Sequence, residues 1–441
     1  MPIELPRPDH FYSRMRYGPH RFADPALDGA KLAHQGFGAP SVLAGKAART
    51  YQFTINDRAW AVRCYLNPPP DLRERYEAIA RFIARSRCDC LVDVEYQERG
   101  IEVDGAWHPI VKRPWLPSLP SLQDWLFGHN ATAAKVLRLR DAIAVMARDL
   151  QERGAAHGNL HADNIFVTPG GQPILVDYDD FFAPGMEHLP AFGRGHPNYQ
   201  HPRRDRQFGA ALDRFSLLVL YVGLTAMNAR RWAALWKSET VLFRGVDLRR
   251  PESSALFAEL RADPATRVLA ERLADVAAGS FAAVPTLDEF LSGEFARSAP
   301  APELPAPPPL TLRDFVDPQN GAALAYRVGQ ETLMVGRVQE VIDNVRTADG
   351  EPFVVMYLGQ RLMDAAAVIV RGEALEHALK KFRSLRAFDG RWVLATGVLE
   401  KDHGLGPAPY LLRVDSSSNV QFLYDARQLD EIFDPPPRPR G

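Results

Sequence analysis

Residues 157–180 hold the densest set of side chains that could do chemistry. The stretch reads HGNLHADNIFVTPGGQPILVDYDD and joins a polar loop, two short predicted strands and an acidic end. The strands are predicted to turn at Gly170 and Gly171, which would bring the loop and the acidic end together. Carboxylate and amide oxygens are the ligands that Mg²⁺ prefers. The sequence therefore predicts an oxygen-rich site that suits a hard cation.

The same stretch resembles the catalytic core of the protein-kinase-like superfamily. There, an H-x-D-L-x-x-x-N loop is followed by a β-hairpin and a D-F-G or D-x-D segment. In this chain the loop begins His157-Gly158-Asn159 and ends at Asn164. The resemblance implies that Asn164 and Asp177 are Mg²⁺ ligands, that Asp177 is catalytic, and that ATP is the nucleotide.

Three further segments match that family in the same order along the chain. Residues 61–63 (AVR) stand at the strand V-A-I-K motif, and residues 195–202 (GHPNYQHP) resemble the G-T-P-x-Y-x-A-P segment that ends an activation loop. Residues 213–218 (DRFSLL) resemble the D-x-W-S-x-G start of the next, buried helix. By the same resemblance, we expect Asp213 to hydrogen-bond the loop backbone and His157 to orient it rather than do chemistry.

Several positions depart from the family pattern where phosphate is handled. Asn159 stands at the catalytic base position, and a neutral amide takes up no proton near pH 7. Arg63 replaces the strand Lys, and its planar fork pairs phosphate differently. The glycine-rich loop keeps only Gly45, because Leu43 and Ala48 replace other glycines and would hinder the approach of backbone to phosphate.

The resemblance also assigns residues around the nucleotide. Leu116, in the segment that would join two lobes, could offer its N–H to adenine. Glu77, on a helix predicted over residues 71–85, is the expected partner of Arg63. With Gly45, these residues make up the predicted nucleotide-binding set.

Composition places the chain among ordinary globular proteins. It has 441 residues, 46% of them apolar and 24% charged, with a formal net charge of -1, so no global charge draws it to nucleic acid or membrane. Three cysteines favour a reducing compartment over a disulfide scaffold. We see neither an apolar signal core at the N-terminus nor a membrane-length apolar run, and we expect a cytoplasmic protein.

Proline-rich stretches divide the chain. A linker predicted at 298–310 precedes a second body, whose element order β-β-β-α-β-β resembles the OB-fold, a small β-barrel. That body is more acidic than basic, which favours protein docking over single-strand nucleic acid. The predicted class is α+β, a bilobal kinase-like fold followed by an OB-like barrel. The predicted bounds are 1–297 for the kinase-like domain (N-lobe about 30–117, C-lobe about 118–297), 311–434 for the barrel and 435–441 for a proline-rich tail.

The sequence leaves more than one function open. The first hypothesis is a pseudokinase, a nucleotide-responsive binding or scaffolding module with impaired phosphoryl transfer, with ATP and Mg²⁺ as ligands and proteins as partners. The second is a divergent but active Ser/Thr-type protein kinase, which the retained Asn164 and Asp177 favour. The third is a relative of small-molecule kinases, which the H-G-x-L-H-x-x-N string resembles. A nucleic-acid role through the second body is a further alternative.

Overall fold

The structure, a computed structural model, divides into two compact units, with the main division between Pro302 and Glu303. The predicted linker, the proline-rich tail and Gly45 lie outside the residues described. Those described are 6, 8–18, 20–34, 40–44, 48–66, 68–69, 71–116, 119–127, 131–227, 241–295, 315–319, 321–346, 350–358, 366–382, 384–401 and 408–423.

The first unit has a strand-rich part followed by a helix-rich part. Its strands are β1 Lys31–Leu32, β2 Val42–Ala44, β3 Ala48–Ile55, β4 Arg58–Tyr65, β5 Glu95–Val103, β6 Ala106–Pro114, β7 Ile165–Val167 and β8 Pro173–Leu175. Its helices are α1 Pro8–Tyr17, α2 Pro25–Asp28, α3 Leu72–Ser86, α4 Leu122–Phe127, α5 Ala133–Glu152, α6 Arg214–Ala226, α7 Gly245–Arg249, α8 Ala255–Ala262, α9 Arg267–Ala278 and α10 Leu287–Ser292.

An antiparallel sheet of the order β1-β3-β4-β6-β5, with β2 also paired to β3, forms the strand-rich part. The β3–β4 hairpin turns at Asn56 and Asp57, whose φ angles of 46° and 61° are ones that Asn and Asp tolerate. The register pairs Thr50 with Arg63, and this places Arg63 on a central strand of the sheet.

The N-terminal arm covers one face of this sheet. Phe11 is fully buried and packs edge-on against His108, with their ring centroids 6.4 Å apart. Phe22 and Phe53 meet in a similar edge-to-face pair at 5.3 Å. Because these rings belong to one continuous apolar cluster with strand residues, helix α1 is part of the fold rather than a loose leader.

Helices α5 and α6 form the centre of the helix-rich part. The apolar run predicted as a core helix is α6, in which ten residues from Phe215 to Ala226 are buried. Between α5 and α6 the chain forms a loop and the antiparallel hairpin β7–β8, with Ile165 opposite Leu175. In the described part of the chain, none of the helices has both the length and the apolar character needed to cross a bilayer.

The described residues of the second unit form one mixed sheet and two α-helices. Its strands are β9 Glu331–Arg337, β10 Glu340–Arg346, β11 Pro352–Tyr357, β12 Ala366–Arg371, β13 Trp392–Lys401, β14 Tyr410–Val414 and β15 Val420–Leu423. Its helices are α11 Gly321–Arg327 and α12 Gly372–Phe382. The helix of the predicted order β-β-β-α-β-β is α12, followed by a short 3-10 helix at Leu385–Phe388.

The predicted closed barrel is not formed by the strand pairings among the described residues. The sheet runs β10-β11-β12-β14-β13-β15, with β9 also paired to β13, and no ladder joins β9 to β10. Two residues, Val338 and Gln339, link β9 to β10 covalently, so the chain itself connects the two ends of the sheet. β9 and β10 are thus two strands with different neighbours where the predicted order β-β-β-α-β-β has one strand.

Burial of α1 gives a stability prediction for the first unit. Phe11→Ala should lower the free energy of unfolding by about 3–5 kcal/mol, because a fully buried ring is removed and a cavity remains. Tyr17→Ala, at the exposed end of the same helix, should change it by less than about 0.5 kcal/mol. Urea unfolding followed by circular dichroism measures both. Equal stability of the two variants would show that α1 does not pack on the sheet.

Candidate functional site

Asp213 and His157 hold the loop before β7 in place. The Asp213 carboxylate accepts hydrogen bonds from the backbone N–H groups of His157 (2.5 Å) and Gly158 (2.8 Å). The fully buried His157 has Nε2 2.9 Å from the carbonyl oxygen of Val176. Both residues therefore have the structural roles that were predicted.

Gly158 allows this loop to lie against the acidic segment. Its φ is +77°, and a Cβ atom there would lie 2.1 Å from the carbonyl oxygen of Asp180. Any side chain would thus clash with backbone as well as adopt a left-handed conformation. The Gly between His157 and Asn159 is a packing requirement of this site.

Asn159 is held by hydrogen bonds rather than free in the cleft. Its Oδ1 accepts from the backbone N–H of His196 at 2.7 Å, and its carbonyl accepts from Nδ2 of the buried Asn164 at 3.0 Å. The Asn164 carbonyl accepts from Val176 N at 3.1 Å, which brings Asn164 beside Asp177. The predicted base and ligand positions do lie together.

Asp177 faces Arg63 instead of open space. Its φ of 68° is left-handed, which is uncommon for a non-glycine residue and points to local constraint. Oδ1 lies 3.2 Å from Arg63 Nη2 as an ion pair, but outside hydrogen-bond geometry, so this buried oxygen has no hydrogen-bond partner. Asp177 therefore keeps one unsatisfied acceptor next to a cation.

Asp179 is the centre of a buried polar cluster. Its Oδ2 accepts from Arg63 Nη2 at 2.5 Å, and its Oδ1 accepts from the hydroxyls of Tyr65 and Tyr76, each at 2.8 Å. Burial, together with the charge of Asp179, raises the pKa of both tyrosines well above the ordinary value, so both remain donors. Hydrogen bonds to an ionised, buried acceptor are among the strong ones. We call these four residues the Asp179 cluster.

The predicted pair of Arg63 with Glu77 is not formed. Glu77 is exposed on α3 and binds Arg73 Nε at 2.9 Å. One residue along a helix is a rotation of about 100°, so Glu77 faces solvent while Tyr76 faces the sheet. The prediction assigned Arg63 an acidic partner on this helix. The spacing of the apolar side chains Tyr76, Ile79 and Ile83 indicates instead which face of the helix is buried.

A small cavity lies beside Asp177 among the described residues. The cavity beside Asp177 has a volume of about 20 Å³, and the side chains around it include Thr50, Arg63, Tyr76 and Arg113. Such a volume holds about one water molecule. Burial lowers the pKa of Arg113, although the charge of Asp177 opposes this. Leu116, the predicted adenine contact, is not among the residues that line this cavity.

Asp177, one of the two predicted Mg²⁺ ligands, lies beside a cation of the protein itself. Its Oδ1 could ligate a metal ion, but Arg63 Nη2 lies 3.2 Å from it. Within the described residues, no cluster of three or more His, Cys, Asp or Glu side chains is placed to hold a metal ion.

Comparison with known proteins adds no family assignment. No protein-family model matches the chain, and no curated protein matches it significantly. The kinase resemblance therefore depends on the motifs and contacts above.

Asp180 gives a pH prediction for this site. Its Oδ1 accepts from Gly193 N at 2.7 Å, and burial raises its pKa from 3.8 to about 6, against the opposing charge of Arg204. An acid whose pKa is raised on folding stabilises the protein below its unfolded pKa of 3.8 and loses that contribution as pH rises through about 6. The loss should reach about 3 kcal/mol at most.

Asp180→Asn should therefore remove this pH dependence. Between about pH 4 and 7, the free energy of unfolding of the native protein should fall relative to that of the variant. Urea titrations at several pH values measure the difference. Parallel curves for the two proteins would mean that Asp180 is not perturbed by burial.

Proposed function

We propose that the first unit is a protein-kinase-like module that works as a pseudokinase, a binding or scaffolding unit in which phosphoryl transfer is impaired. The observation that carries this proposal is the position of Arg63. Its guanidinium binds Asp179 and lies next to Asp177, so it neutralises the carboxylate that would hold metal. The protein's own cation stands where a metal ion would be needed.

The kinase-like fold is supported by how elements converge on this place. The elements follow one another in the order that the motifs imply. They are an antiparallel sheet with helix α3, a loop anchored by Asp213, the β7–β8 hairpin and Asp177 with its left-handed backbone. Each element contributes one residue of the site: Arg63 from β4, Tyr76 from α3 and Asn164 from the loop. Arg63 and Asn164 are residues that the resemblance implies for a kinase-like core, whereas Tyr76 stands beside the expected Glu77.

The chemistry argues against efficient transfer. General-base catalysis contributes roughly 10²–10⁴-fold, and Asn159 supplies no base. Positioning and electrostatic stabilisation by metal contribute most of phosphoryl transfer, and here Asp177 faces a guanidinium. The cavity beside Asp177 has a volume of about 20 Å³, so a nucleotide that used it would displace Arg63 and Arg113. Response to ATP would therefore mean disruption of the Asp179 cluster.

For the second unit we propose an OB-like sheet used for protein docking. Three features support the resemblance: β12 and β14 pair in parallel, α12 lies between β12 and β13 in sequence, and only two residues separate β9 from β10. The excess of acidic residues opposes binding to nucleic acid phosphates. A second unit that docks a protein partner, together with a first unit impaired in phosphoryl transfer, would act as a scaffold.

The proposal predicts that ATP with Mg²⁺ leaves the melting temperature of the full-length protein unchanged, because a ligand stabilises only a protein that binds it. Incubation with γ-labelled ATP should give no label above that of an Asp177→Ala control. Asn159→Asp alone should not restore transfer, since Arg63 still lies beside Asp177. Differential scanning calorimetry and label incorporation measure these outcomes.

Two results would favour other functions. Label transfer that Asp177→Ala abolishes would support the divergent, active kinase, and transfer to a small molecule instead of protein would support a small-molecule kinase relative. A rise in melting temperature without transfer would retain the pseudokinase proposal and show that the cleft opens for nucleotide. The unsatisfied oxygen of Asp177 is the feature that keeps the active alternative worth testing.

A further inference from the structure

Three arginines converge on a groove away from the Asp179 cluster. The groove has a volume of about 330 Å³ and lies between the C-terminal half of α3, the end of α5 and the turn at Pro184. Arg81 and Arg85 reach it from α3, and Arg153 reaches it from the residue that follows α5. We call this space the arginine groove.

The charge of the arginine groove is only partly balanced. Arg153 Nε contacts both oxygens of Asp149 at 2.9 Å, but Arg81 is 3.9 Å from Glu77. Arg85 has no ion pair or hydrogen bond within the described part of the chain. No carboxylate lines the groove itself. Asp149 offsets one of the three guanidinium charges and Glu77 lies farther from a second, so the groove keeps a positive potential.

The end of a helix accounts for one of these cations but not for their convergence. A helix C-terminus favours a positive side chain, which explains Arg85 in the last turn of α3. Arg153 belongs to a different element, and its Nη1 donates to the Ser86 carbonyl at 3.1 Å. That bond fixes a second guanidinium at the mouth of the same groove.

The walls of the groove are apolar between the arginines. Ala78, Phe82 and Pro184 supply this surface. Phe82 is itself supported by Phe181, with ring centroids 5.8 Å apart. A pocket of about this size accepts a small organic group in addition to an anion. The groove therefore combines positive charge with a firm apolar wall.

We propose that the arginine groove binds a phosphomonoester, with the phosphate between the guanidinium groups and the attached organic group against Phe82. A phosphate dianion presents three strong acceptor oxygens, which match planar guanidinium donors better than one carboxylate does. A small phosphate ester and a phosphorylated side chain of a partner share this chemistry. The site goes beyond the proposed loss of transfer and does not depend on it, because it shares no lining residue with the cavity beside Asp177.

Calorimetric titration of the full-length protein tests the site. The probes are phenyl phosphate, a short alanine peptide that carries one phosphotyrosine, and the same peptide with tyrosine or glutamate in its place. Both phosphorylated probes should bind, and Arg85→Glu should weaken them by roughly tenfold or more, because one charge-assisted contact becomes repulsive. Arg138→Ala, an exposed arginine on α5 that does not line the groove, is the control and should leave binding unchanged.

Binding should also weaken as salt rises, and each variant should keep the native melting temperature. If the peptide binds more tightly than phenyl phosphate, the source is a phosphorylated partner; similar affinities favour a small ester. Failure of both phosphorylated probes to bind would overturn the proposal. So would equal binding of the glutamate peptide, or binding that survives in both Arg85→Glu and a second variant, Arg81→Ala.

Discussion

The ionic contact of Arg63 with Asp179, and its close approach to Asp177, is the interaction on which the rest of the site depends. One guanidinium lies 2.5 Å from one carboxylate and 3.2 Å from the other. A buried carboxylate such as Asp179 is costly unless a cation accompanies it. Arg63 supplies that cation from within the chain and also lies beside the partly exposed Asp177.

The sheet and helix α3 are tied together through the same residues. Arg63 and Tyr65 come from β4, Tyr76 comes from α3, and all three donate hydrogen bonds to Asp179. Strand β4 and helix α3 therefore both donate hydrogen bonds to one carboxylate, that of Asp179. Opening the cavity beside Asp177 by moving Arg63 or Tyr76 would break several hydrogen bonds to Asp179 at once.

Much of this site could be predicted from sequence, but not its internal pairing. The spacing of His157, Asn164 and Asp177 located the loop and hairpin, and the residue types indicated impaired chemistry. The partner of Arg63 could not be found that way, because it lies 116 positions away and depends on which side of α3 faces the sheet. The carboxylate of Asp179 pairs with Arg63 in place of the expected carboxylate of Glu77. In the second unit, strands on both sides of a central helix were predicted from sequence. The division between β9 and β10 was missed, because it depends on which strands pair in the folded sheet.

A double-mutant cycle on Arg63 and Asp179 tests this account most directly. Arg63→Met and Asp179→Asn are compared singly and together by urea unfolding of the full-length protein. Each single change leaves a buried group without its partner and should cost about 3–5 kcal/mol. The double change should cost clearly less than the sum, with a coupling of about 1.5–3 kcal/mol. Additive effects on the free energy of unfolding would contradict the claim that Arg63 and Asp179 stabilise the site through their mutual contact.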